Sequence, residues 1–520
     1  MNKENKKAVK TVTLIIFAMA FSKILGLARD MLMANFYGGS AENAAFATAS
    51  RIPRDFFDMF LGAAFLGVFI PVYNSFKQNQ EKEKNEFANI FLNVVILITG
   101  LLAFLGAVFS AQIINIMAPG YDLYTARLAA NLLKILFPMI VFTGAVYTFT
   151  GILQSKGEFL APALVSAISN LGVIIYFLFL NERFEIYGLG TAYLISWSIQ
   201  LTTLVVPLIR KKYKYKFIIN LKNPAFVKAI KMALPIMAGS WLVPAGMLFG
   251  QYFLSLSDNP DFNVSSFDYS TKIFFLITGI LTYGICNYIF PKLAQNSNDD
   301  VKFANIVKTG LSAACFVIAP VACIAFVLKG EIVSVLFLHG EFTSELAVST
   351  SRMFAFLAPS MLMFSTIEII NRVFYAKNLV KFPMIASLSG IFANFVLSRI
   401  FIVYSGELPV YITLVMFISQ SVTAAVLIIS LNKSVKNIFN KSFLANIAKI
   451  VLSSGLLLII IIILYNIIEN NAFDSGKPVN ILVAVIIAAA GLFSYLGISV
   501  IFKTDEARAF IKMLKKDKKR

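Results

Sequence analysis

Charged residues lying inside long apolar runs are the positions of this sequence best placed to do chemistry. Lys23 and Arg29 interrupt the first apolar stretch, with Asp30 directly after Arg29. Arg51 and Arg54 fall in the second stretch, followed by Asp55 and Asp58, and Lys272 stands in a much later one. A charge at the centre of a membrane span costs about 2.5–3.5 kcal/mol, so each needs a cavity, a partner or a short route to the interface. Cations facing an internal cavity suit an anion, above all a phosphate or pyrophosphate. On α-helical spacing Arg51, Arg54, Asp55 and Asp58 share one face, where Arg51–Asp55 and Arg54–Asp58 form i,i+4 pairs. Lys23 and Lys272 are left unpaired, which gives a surplus of positive charge. Of four other embedded cations, Arg372 and Arg399 lie near enough to span ends to snorkel and read as structural, while Lys134 and Arg352 read either way.

Other chemistries lack residues. There is 1 histidine, His339, and the 3 cysteines (Cys286, Cys315, Cys323) lie in apolar stretches without a CxxC spacing, as packing residues do. The embedded acids Asp30, Asp55, Asp58 and Glu368 are scattered, with no paired-aspartate motif, P-loop or nucleophile elbow. The expectation is therefore no enzyme, no cofactor and no metal site.

The elements that must position these charges follow from composition. Of 520 residues 58% are hydrophobic and 14% charged, with a mean hydropathy of +0.78. That much apolar surface cannot be covered by so little charge in a soluble fold, so a multi-span inner-membrane protein is expected. Apolar runs of spanning length fall near 12–30, 44–76, 87–116, 126–153, 160–180, 187–209, 226–255, 265–291, 303–328, 346–376, 382–403, 409–431, 444–467 and 479–502. They predict fourteen transmembrane helices. Ala18-Met19-Ala20 resembles a signal-peptidase site, but the apolar pattern runs on to Gly26 without a polar break, so a retained span is expected.

Loop charge orients the chain. With the N-terminus inside, the cytoplasmic segments hold 33 Lys and Arg against 4 outside (Arg127, Arg183, Lys329 and Lys477). Both termini are thus expected in the cytoplasm. The net charge of +19 then reads as a topology signal and a contact for anionic membrane lipids, and nucleic acid is not an expected partner.

An internal repeat appears at an offset of about 221 residues: Arg51 meets Lys272, Lys156 meets Lys377, Pro162 meets Pro383 and Ser166 meets Ser387. Six spans is an even number, so the two copies face the same way about an axis along the membrane normal. The expected fold class is an all-α polytopic membrane protein with two six-helix lobes and two further C-terminal helices. Residues 1–209 form the N-lobe, 210–225 a basic cytoplasmic linker and 226–431 the C-lobe. Helices 13 and 14 take 432–502, and 503–520 is a polybasic tail suited to a lipid surface. Such a layout is that of an alternating-access transporter, with its binding site expected between the lobes.

Longer motifs carry a resemblance. SKILGLARDMLMANFYG (Ser22–Gly38), SRIPRDFFDMFLGAAFLGVFIPVY (Ser50–Tyr73), LFLHGEFT (Leu336–Thr343) and NRVFYAKNLVKFP (Asn371–Pro383) resemble the MurJ family, the lipid II flippases of the multidrug/oligosaccharidyl-lipid/polysaccharide exporter superfamily. The resemblance implies a central cationic cavity, a groove for the polyprenyl tail at helices 13 and 14, and transfer of undecaprenyl-pyrophosphate-linked disaccharide-pentapeptide to the outer leaflet. It matches Arg29 and Asp30 to the family's span-1 pair, Lys23 to a basic position of some members, and Lys272 to a span-8 arginine. The family's span-2 arginine falls on Phe57, one turn after Arg54, and an outer-loop acid falls on Ala44. A span-7 acid or amide associated with sodium in some members falls on Gly250, which has no side chain to ligate an ion. The expected substrate site is Arg29, Asp30, Arg51, Arg54, Lys272 and Lys23 in a monomer. An exporter of another polyprenyl-linked oligosaccharide is the alternative, and a multidrug antiporter, which would favour acids in the cavity, comes third.

Overall fold

The computed structural model describes residues 3–57, 62, 68–77, 79–404, 408–472 and 477–517. Among them every regular element is a helix. In hydrocarbon no water satisfies the backbone, and a helix satisfies its own.

The described chain divides into two compact units, residues 1–265 with 339–342, and residues 266–338 with 343–520. The first contains α1 (Lys3–Tyr37), α2 (Ala41–Ser50), a π-helix (Arg51–Phe56), α3 (Ile70–Asn74), α4 (Glu81–Val108), α5 (Ser110–Met117), α6 (Leu123–Leu136), α7 (Met139–Ser155), α8 (Leu160–Phe179), α9 (Asn181–Arg210), α10 (Pro224–Gly239) and α11 (Leu242–Ser255). Helix α12 (Pro260–Gln295) begins there and continues into the second unit. That unit holds α13 (Asp300–Val327), α14 (Lys329–Phe337), α15 (Ser344–Ala376), α16 (Lys381–Tyr404), α17 (Leu408–Ser434), α18 (Lys441–Ala472), α19 (Lys477–Ile501) and α20 (Asp505–Asp517).

Among the described residues eleven helical stretches are long and apolar enough to cross a membrane, or twelve if the bent pair Pro224–Gly239 and Leu242–Ser255 is one span. The two other expected runs fall on α1 and on 44–76, part of which lies outside the described residues.

Helix ends follow from local chemistry. Side chains of Ser40, Asp122, Asn223, Asp299 and Thr343 accept from backbone N–H groups of the first turns of α2, α6, α10, α13 and α15. At the other end, α7 and α15 stop in the same way. Gly157 (φ 76°) and Asn378 (φ 56°) take left-handed backbone, and Glu158 N–H and Leu379 N–H each reach back 2.8 Å to the carbonyls of Leu153 and Phe374. Those two caps are 221 residues apart, the repeat offset.

In the first unit the core seam runs along α6, where Leu132, Leu133 and Leu136 are fully buried against Val173, Tyr176 and Phe177 of α8 and Leu189 and Tyr193 of α9. Lipid tails are as apolar as leucine, so such packing rests on close fit rather than escape from water. In the second unit a smaller cluster joins Ile324 of α13 to Leu457 and Ile461 of α18 and Ile487 and Tyr495 of α19. Helix α20 is tied to it by polar bonds: Asn446 Nδ2 donates to Ser312 Oγ (2.8 Å) and Glu506 Oε2 (3.1 Å), and Ser312 Oγ donates to Glu506.

Candidate functional site

Arg29 and Asp30 sit on α1, which the seam holds from one side through Met33 and Tyr37. The guanidinium donates from Nε (3.1 Å) and Nη2 (2.8 Å) to Asp30 Oδ1, and from Nη1 (3.0 Å) to Asn170 Oδ1 on α8. Its Cζ lies 5.7 Å from the ring centroid of Tyr193 on α9. Asn170 is itself fixed, since its Nδ2 donates to Ser22 O at 3.1 Å. Gly26 leaves room for it: a Cβ there would stand 3.2 Å from Asn170 Nδ2.

Three of the five guanidinium N–H donors are used in these bonds, which leaves two for an incoming anion. Both side chains of the pair are 15% exposed, so the group is reachable yet mostly out of solvent. Arg54, half-buried on the π-helix, is close enough for its charge to act on Arg29. A bound anion would relieve that repulsion.

The other expected residues are placed differently. Lys23 is exposed on α1, six residues before Arg29 and about 9 Å along the axis. Arg51 is 1% exposed, so an anion reaches it only if its surroundings rearrange. The shared face expected for Arg51, Arg54, Asp55 and Asp58 assumed an α-helix, and the segment is π-helical instead. Pro53 within it cannot donate a ladder hydrogen bond, and i→i+5 bonding widens the turn, so α-helical spacing fails there. The Asp55 side chain and Asp58 lie outside the described residues, and the two proposed i,i+4 pairs with them. Phe57, where the resemblance puts an arginine, packs against the core cluster of the first unit.

Lys272 belongs to the second unit. It is not the unpaired cation expected: Nζ is 2.7 Å from Asp268 Oδ2, one turn earlier on α12, and 4.7 Å from the Tyr269 ring centroid. Arg372 bonds Glu368 Oε2 at 2.6 Å, over the Tyr283 ring. Each of Arg29, Lys272 and Arg372 thus carries a carboxylate of its own. The reading of Lys272 as unpaired is corrected accordingly: these three charges are held in ion pairs, which lowers the cost of keeping them inside a membrane.

Asn170, Tyr193 and Asp268 were missed in the sequence reading. Asp268 had a signal, its i,i+4 relation to Lys272, whereas Asn170 and Tyr193 are distant in the chain. Gln251 was missed too, beside Gly250. It is fully buried and donates from Nε2 to Thr48 Oγ1 (2.7 Å) and Tyr121 OH (3.2 Å), and both hydroxyls bond Ala44 O. Beside Ala44 and Gly250 this chain thus builds a polar knot of Thr48, Tyr121 and Gln251.

A crevice of about 770 Å³ in the first unit is lined by Glu42, Asp122, Tyr124, Arg127 and Glu185 among others, and includes none of the expected site residues. Its acids disfavour an anion. Among the described residues no group of three or more His, Cys, Asp or Glu is placed to hold a metal ion.

Comparison with known proteins agrees with this architecture. The sequence profile described as "Lipid II flippase MurJ" matches residues 33–484. The lipid II flippase MurJ of Thermosipho africanus is 28% identical over 504 residues, covering 96% of this chain and 98% of the relative. The probable lipid II flippase MurJ of Buchnera aphidicola subsp. Schizaphis graminum is 28% identical over 394 residues, covering 74% and 76%. A solved structure of lipid II flippase MurJ in an inward closed conformation superposes with a TM-score of 0.79 at 26% identity, covering 95% of this chain and 99% of that one. An inward-facing multidrug resistance MATE transporter of the MOP superfamily shares the fold alone, with a TM-score of 0.63 at 15% identity over 81% of this chain and 96% of its own. The chain is an all-helical, multi-pass membrane protein and belongs to the lipid II flippase MurJ family.

Proposed function

We propose that this chain is a lipid II flippase, moving the undecaprenyl-pyrophosphate-linked peptidoglycan precursor from the inner to the outer leaflet by alternating access. It is a transporter and forms no bond. The problem it solves is passage of a diphosphate and a polar head through about 30 Å of hydrocarbon. The observation that carries the reading is the Arg29 guanidinium, held on three sides by Asp30, Asn170 and Tyr193 with two donors to spare.

In this proposal Arg29 and Arg54 of the first unit bind the pyrophosphate, with Lys23 as a further cation and Arg51 engaged after rearrangement, and Lys272 of the second unit is a substrate cation in its own right. Asp30 and Asp268 are resting partners. Each neutralises its cation while the site is empty and keeps a share of it when the diphosphate arrives on the N–H donors the carboxylate leaves unused, so neither carboxylate is left bare in the membrane. The polyprenyl tail lies along α18 and α19, which expose Ile459, Ile463, Val485 and Phe493. Both termini face the cytoplasm, the two repeats act as lobes, and the protein works as a monomer.

Complementation tests the substrate. In a bacterial strain depleted of its own lipid II flippase, this chain should sustain growth and walls of normal composition. Failure to complement by chain that is present in the membrane at normal amounts would favour another polyprenyl-linked oligosaccharide as substrate.

A further inference from the structure

Between α9 and α10 the chain from Lys211 to Asn223 has no helix of its own, yet its course is fixed. Asn89 and Asn93, one turn apart on α4 and each 2% exposed, hold it as two rungs. Asn89 Nδ2 donates to Lys214 O (3.1 Å) and accepts at Oδ1 from Tyr213 OH (2.6 Å). Asn93 Nδ2 donates to Lys216 O (3.2 Å) and Ile218 O (3.0 Å), and its Oδ1 accepts from Tyr215 OH (3.0 Å). Lys156 and Lys211 close the near end by donating to each other's carbonyl oxygens, both at 3.3 Å.

What this fixed strap displays is unusual for a loop in water. Phe217 is 67% exposed, Leu221 59% and Ile219 49%. Around them stand exposed Lys212, Lys214, Lys216 and Lys222, and a shallow hollow of about 550 Å³ is lined by Lys222, Lys228, Lys231, Pro224, Val227 and Met232. From Arg210 to Lys231 there are eight cations and no Asp or Glu. Because α9 is long and apolar enough to span, its end at Arg210 brings the strap to the boundary of the hydrocarbon. Apolar side chains set among lysines at that depth match a layer of negatively charged headgroups over acyl chains. A nucleic acid would satisfy the lysines and leave Phe217, Ile219 and Leu221 in water.

We propose that the Lys211–Asn223 strap is a preformed docking surface for anionic phospholipid headgroups, with its lysines on the phosphates and Phe217, Ile219 and Leu221 inserted beneath them. The asparagine rungs hold the lysines in a set array, so the ordering cost of a free loop is already met before lipid binds. The proposal is independent of which lipid-linked substrate the protein carries.

Hydrogen–deuterium exchange on the full-length protein in nanodiscs tests it. Nanodiscs of phosphatidylcholine alone are compared with nanodiscs of phosphatidylcholine mixed with phosphatidylglycerol. Amides of residues 217–222 should exchange several-fold more slowly in the anionic discs. The combined Lys212→Gln, Lys214→Gln, Lys216→Gln and Lys222→Gln variant keeps Asn89 and Asn93 and should lose that difference. A control carrying Lys82→Gln, Lys302→Gln, Lys436→Gln and Lys503→Gln removes equal charge at other exposed sites and should retain it. Equal exchange in both discs, or a difference that survives in the strap variant, overturns the proposal, as does its loss in the control.

Discussion

Asn170 sets the direction of the Arg29 guanidinium, because it binds Nη1 with its oxygen while its nitrogen is fixed to the α1 backbone at Ser22. Asn170→Ala should leave Arg29 charged and paired with Asp30 but free to swing. Losing one hydrogen bond to a charged group is worth about 1.5–3 kcal/mol, so the initial rate of lipid II translocation should fall about tenfold or more with the protein still folded. Measured in proteoliposomes, an unchanged rate would remove Asn170 from the site. Lys272 behaves differently, because its partner Asp268 is only 4% exposed. Lys272→Ala leaves a buried carboxylate alone and should destabilise the protein by about 3 kcal/mol, seen as a lowered Tm. Lys272→Ala combined with Asp268→Ala should recover the Tm and still fail to transport; recovery of transport would show that the pair is structural. Arg29 and Asp30 were legible in the sequence as neighbours in an apolar run. Asn170 was not, since it is 141 residues away and only the fold brings it near.

Elements were legible where a local rule governs them and illegible where one backbone break changes the rule. The apolar runs and the repeat placed most helices, and the equivalent ends at Gly157 and Asn378 show the same cap surviving a change of residue. Span 2 escaped because a proline-containing π-helix alters the register on which the shared charged face depended. It also changes a natural experiment: moving the arginine by Phe57→Arg would drive a charge into the core cluster that Phe57 packs against. The HGEF stretch, legible only as a motif, has a mechanical basis. Within the first unit Glu341 N–H donates to Asn35 O at 2.9 Å, and Gly340 at φ 57° has no room for a side chain, since a Cβ would stand 2.3 Å from Asn35 O. Gly340→Ala should therefore cost at least about 1–2 kcal/mol in left-handed backbone alone. Amide exchange at Glu341 should speed up sharply, and wild-type protection in that variant would refute the contact.

At the scale of the molecule, Arg29, Lys272 and Arg372 rest in ion pairs, and a diphosphate must share those of Arg29 and Lys272 if it is carried by this chain. Its orientation is open to a direct check: single cysteines at 256–264 should react with impermeant thiol reagents added from outside, and cysteines at 211–222 should not. Labelling of 211–222 from outside would invert the topology. The central claim is that lipid II crosses the membrane with its pyrophosphate on Arg29. It is tested most directly by reconstituting the protein with labelled lipid II in proteoliposomes and following the lipid's appearance in the opposite leaflet, for wild type and for Arg29→Ala. Wild type should show protein-dependent transfer and Arg29→Ala should lose nearly all of it, with equal amounts of folded protein in the membrane. Transfer at the wild-type rate by Arg29→Ala, or none by wild type, would contradict it.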